Sequence, residues 1–127
     1  IILEGSATKD NQNVKFNIQL NPNLAYTCGE FVGDERKGFL DANGTTELEV
    51  TFHFDHVFGD SNIPQDDTMN QEAFGFSPFA NLAENNQVTI DQDVLKLKIS
   101  PEEYQKLEKN LKGLGHVGEG HCELQNS

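Results

Sequence analysis

Apolar residues in this chain recur at every second position over several short stretches, the period of a half-buried strand. Val14, Phe16, Ile18 and Leu20 alternate with Lys15, Asn17 and Gln19. Leu48, Val50, Phe52 and Phe54 alternate with Glu49, Thr51, His53 and Asp55, which predicts one strand over 45–58 with an apolar face and a polar one. Val88 and Ile90 predict a shorter strand, and Leu95, Leu97 and Ile99, separated by Lys96 and Lys98, another. Residues 1–7 predict an edge strand.

Turn residues divide these runs. Lys9-Asp10-Asn11-Gln12-Asn13 reads as a polar turn. Asn21-Pro22-Asn23 breaks the second strand before Leu24, Tyr26 and Cys28 resume the alternation, with Cys28 in the inward phase. Residues 33–38 form a charged loop, and Asp41-Ala42-Asn43-Gly44 is a hairpin signal.

Helical signals are concentrated in two places. Residues 69–84 predict two short pieces hinged near Gly75, introduced by the capping-box pattern Thr68-Met69-Asn70-Gln71 and by Ser77-Pro78, with Phe74, Phe76, Phe79 and Leu82 as core. Ser100-Pro101-Glu102-Glu103 supplies an N-cap, proline at the first helical position and acidic residues at the positive end of the dipole. Tyr104, Leu107, Leu111 and Leu114 then recur at helical spacing until Gly113 and Gly115 end the segment. The pattern predicts a single domain over 1–127, mainly β, an antiparallel β-sandwich with two short helical segments; an α+β roll is the alternative.

Charge narrows the function classes. Acidic residues outnumber basic ones by 21 to 9, a net charge of −12, so a nucleic acid is repelled over most of the surface. No apolar run approaches the roughly 18 residues that suggest a transmembrane segment. Two cysteines far apart, Cys28 and Cys122, predict one long-range disulfide and an oxidising, extracytoplasmic location. That location is read as periplasmic or secreted, with surface anchoring through a preceding segment as a variant.

The candidate chemistry lies in four histidines that fall two and two. His53-x-x-His56 closes the 45–58 strand, and His116 and His121 occupy the glycine-rich tail Gly115-His116-Val117-Gly118-Glu119-Gly120-His121-Cys122. A metal ion gathers imidazoles from distant segments, and glycines let the backbone approach. Asp55, Asp60 and Glu119 are candidates to complete or orient such a site. Neutral imidazoles with a carboxylate favour zinc or copper over magnesium or calcium. One geometric difficulty is plain: on a continuous strand, His53 and His56 point to opposite faces unless the strand ends or bulges between them.

Other sites are less well supported. The acidic stretch after Gly59 fails the EF-hand pattern, because Gln65 stands where glycine is required and Gln71 where the bidentate glutamate is required. A blue-copper arrangement is disfavoured because Cys122 follows every histidine and Met69 lies upstream. No G-x-S-x-G motif occurs, and an oxidised Cys122 is no nucleophile, so an enzyme is not the primary expectation. The primary reading is an extracytoplasmic protein that binds zinc or copper. An acidic interaction or structural module, docking another extracytoplasmic protein without a metal, is the alternative, and a zinc-dependent hydrolase ranks third.

Overall fold

The computed structural model describes residues 1–9, 11–28, 31–32, 35–36, 42–45, 49–117 and 120–125. Its main sheet is built from β1 (Ile2–Lys9), β2 (Gln12–Gln19) and β7 (Gln87–Asp91). β1 and β2 form an antiparallel hairpin, and β7 lies parallel to β2 with Phe16 opposite Val88 and Ile18 opposite Ile90. One face of this sheet is core: Val14, Ile18, Val88 and Ile90 are buried, as their alternation requires.

The remaining strands form smaller sheets. β3 (Tyr26–Thr27) pairs with β10 (Glu123–Leu124), and β4 (Phe31–Val32) with β5 (Glu35–Arg36). β6 (Val50–Phe52), β8 (Gly115–Val117) and β9 (Gly120–His121) form a third antiparallel set in that order. The architecture is therefore mixed α and β. The described strands are spread over these small sheets, and helices supply much of the core where a sandwich would place a second facing sheet.

Helix α5 (Pro101–Lys112) follows its sequence signals closely: Ser100 and Glu103 form a reciprocal capping box, and Tyr104, Leu107 and Leu111 are buried. The 69–84 stretch splits as expected into α2 (Thr68–Glu72) and α3 (Ser77–Ala80), with Gly75 at φ +78° between them. The N-caps differ from the expectation: the Asp67 side chain accepts from Met69 N, and Phe76 occupies the N-cap of α3. Phe79 is fully buried, and its ring meets Phe74 edge-on at 5.1 Å, so these aromatics are core.

Two strand expectations are corrected. Residues 92–98 form helix α4 (Gln92–Lys98), because Asp91 caps it by accepting from Val94 N and Lys96 and Lys98 lie in its last turn. Leu95 is then fully buried while Leu97 is 86% exposed, which no strand facing the core would give. The 45–58 strand is far shorter than its alternation suggests. Residues 46–48 lie outside the described residues, the strand ends at Phe52, and residues 55–58 form a single helical turn, α1 (Asp55–Phe58). Its presumed core face is also wrong in part: Phe54 packs on the core, but Val50 and Phe52 are exposed.

Candidate metal centre

The third sheet brings the two histidine pairs together. β6 and β8 pair with Thr51 opposite His116, and β8 and β9 with His116 opposite His121. His53 continues the β6 edge by donating its N–H to the Leu114 carbonyl at 3.0 Å, after which the chain turns into α1. That turn removes the difficulty in the H-x-x-H spacing. His53 lies just past a strand end and His56 in the first turn of a helix, so the two side chains need not obey strand alternation.

The rings cluster tightly. His53 and His116 stack with centroids 4.2 Å apart and planes 10° from parallel. His56 lies 5.3 Å from His116 and 6.2 Å from His53. His121 lies 4.2 Å from His116 and 5.8 Å from His56. One nitrogen each from His53, His56 and His116 falls within a set whose members are no more than 4.8 Å apart. Tetrahedral zinc with bonds of ~2.1 Å holds its nitrogens about 3.4 Å from one another, so the stacked pair must tilt and the widest separation close by up to about 1.4 Å to ligate.

His116 is the centre of the cluster. It is 4% exposed. Its Nε2 is buried and has no hydrogen-bond partner among the described residues. Burial pushes this imidazole below its ordinary pKa; the neighbouring His121 and His53 act in the same direction, and the Gly113 backbone opposes them. The result is a ring kept neutral with one buried nitrogen unpartnered, and a neutral imidazole is the form that ligates a metal. An unpartnered buried nitrogen costs stability unless something occupies it.

The other expected residues are placed as follows. His121 is exposed and outermost, outside the group of three. Asp55 and Asp60 also lie outside that group. Asp55 Oδ1 accepts from His56 N at 2.9 Å, so it supports the backbone under a ligand candidate. Asp60 Oδ1 accepts from Asn62 N and Nδ2 at 2.8 Å. Glu119 lies outside the described residues. The acidic loop after Gly59 is organised by a side chain: Asn70 Oδ1 accepts from Asp60 N, while its Nδ2 donates to the Asp60 and Pro64 carbonyls. Gly59, at φ +83°, leaves room for this, since a Cβ there would lie 2.7 Å from Asn70 Oδ1.

Cys28 and Cys122 are disulfide-bonded across a sequence separation of 94. Cys122 is buried and Cys28 exposed, so the inward phase expected for Cys28 does not hold. The tail is held at further points, through Cys122 N to the Gly115 carbonyl and the β3–β10 pairing. Gly115 itself lies under the Tyr26 ring, where a Cβ would approach ring carbons to 3.0 Å. Missed in the sequence was Thr51, whose Oγ1 lies 3.0 Å from His53 Nε2. Its position two residues before His53 on the polar side of the alternation was the available signal. No family model, curated protein or solved structure matches the chain.

Proposed function

We propose that this protein binds a single zinc or copper ion through His53, His56 and His116, with His121 at the edge of the site as a fourth ligand or a cover. The observation that carries the reading is the buried His116 Nε2, without a partner among the described residues and beside two further imidazoles drawn from a different part of the chain. Three imidazoles with no thiolate and no carboxylate in the group suit a borderline transition metal and discriminate against magnesium and calcium. The described residues place no carboxylate in the group to act as a general base, so binding is proposed ahead of hydrolysis. A long-range disulfide belongs with an oxidising compartment, and we place the protein in a periplasm or outside the cell. Among the described residues no helix is long and apolar enough to cross a membrane.

Titrating metal-free protein with zinc and with copper tests the reading. One ion per chain is expected, with a melting temperature that rises with free metal as mass action requires. His53→Ala and His56→Ala, at partly exposed positions, should each weaken binding while the metal-free fold persists. Wild-type protein that takes up neither ion would refute the proposal.

A further inference from the structure

Each donor in a multi-histidine site must present the right nitrogen, and the choice is fixed by what the other nitrogen bonds. For His116 the buried nitrogen without a partner among the described residues is Nε2. His53 has such a partner in the Thr51 hydroxyl, 3.0 Å from Nε2. We infer that Thr51 is the positioning residue of the site: its Oγ1 accepts from the Nε2–H of His53, which leaves Nδ1 as the ligating nitrogen. The centre then uses mixed donors, Nδ1 from His53 and Nε2 from His116. This assignment rests on the metal reading above.

Three observations converge on Thr51. It lies on β6 directly opposite His116 in the β6–β8 pair, so the residue that meets the His53 ring sits across the sheet from the residue whose ring stacks on it. His53 is held in the backbone by its bond to Leu114, which leaves the ring torsions as its main freedom, and a bond from Thr51 to the ring restrains them. The neighbouring Val50 and Phe52 are exposed and apolar, so of the three β6 side chains only that of Thr51 can hydrogen-bond an imidazole.

The test compares Thr51→Val, which keeps shape and β-branching but removes the hydroxyl, with Thr51→Ser, which keeps the hydroxyl. Zinc affinity is measured by competition with a chromophoric chelator, and the His53 tautomer by ¹⁵N NMR of the metal-free protein. The expected result is a loss of affinity of about 10- to 100-fold in Thr51→Val. Thr51→Ser should stay near wild type, unchanged melts should show that both variants fold, and His53 should carry its proton on Nε2 in wild type alone of Val and wild-type proteins. Thr51→Val that binds zinc as tightly as wild type, or a wild-type His53 protonated on Nδ1, overturns the assignment while leaving the metal reading intact. Wild-type protein that binds no zinc and no copper overturns both.

Discussion

Asn110→Ala should be among the most destabilising polar substitutions in this protein, although nothing in its sequence context marks it. Asn110 Oδ1 accepts from Phe74 N at 2.8 Å, and Nδ2 donates to the Glu72 carbonyl at 3.1 Å. Asn110 is 7% exposed and Phe74 6%, so water cannot readily replace the lost acceptor. An orphaned buried N–H costs ~1–3 kcal/mol, and the lost bond to the more accessible Glu72 carbonyl adds about half a kcal/mol, which together give about 1.5–3.5 kcal/mol. The effect should reach the histidines only indirectly. The next residue, Gly75, donates to the Val57 carbonyl at 2.7 Å, so the α2–α3 junction links α5 to the turn that carries His56. Urea unfolding is the assay: with a slope of ~1–3 kcal/mol/M, the midpoint should fall by roughly 0.5–3.5 M while the slope is unchanged. Lys109→Met is the control, because the Lys109–Glu72 pair is 2.8 Å apart but exposed at both ends and should leave the midpoint where it is. Equal midpoints for Asn110→Ala and wild type would refute the reasoning.

Leu95→Ala should cost about 2–5 kcal/mol and Leu97→Ala less than ~0.5 kcal/mol, because only the first is buried in the helical register of α4; similar losses in denaturant melts would restore the strand reading. Replacing Cys28 and Cys122 by serine should remove up to about 4.7 kcal/mol, the chain-entropy value for a closed loop of this length, and should also weaken metal binding by freeing the segment that carries His121; a double variant with unchanged melting and affinity would contradict it. His116 has a folded-state pKa below its unfolded value of ~6.5, so the unfolded chain binds more protons in that interval. The stability this group contributes is therefore complete above ~6.5 and is lost as pH falls through its folded pKa. An NMR titration of metal-free protein that places the His116 midpoint at or above ~6.5 would overturn that sign.

Local signals in the sequence account for the elements whose partners are close in the chain. Ser100 and Glu103 cap α5 from within four residues, and Val14, Ile18, Val88 and Ile90 keep the burial phase their alternation predicts. The failures have long-range or ambiguous causes. Leu95, Leu97 and Ile99 satisfy a strand period over so few residues that the period cannot exclude a helix, and the Asp91 cap that decides the matter also reads as a turn. The parallel pairing of β2 with β7 bridges residues some 70 positions apart and leaves no local trace. The histidines were visible as candidates because four of them fall into two groups. How they meet depends on the Leu114 carbonyl ending β6 at His53, a contact between distant segments. Asn70 and Asn110 lie inside or beside helices, where their sequence context gave no hint that they satisfy backbone groups of other segments.

Anomalous diffraction from crystals grown with zinc, recorded on both sides of the zinc absorption edge, tests the central claim most directly. The account predicts one peak per chain bounded by His53, His56 and His116, with nitrogen–zinc distances of ~2.0–2.1 Å and the His53–His116 stack fanned open to reach them. A His116 Nε2 that still lacks a partner, with zinc absent or held only at surface carboxylates, would contradict it.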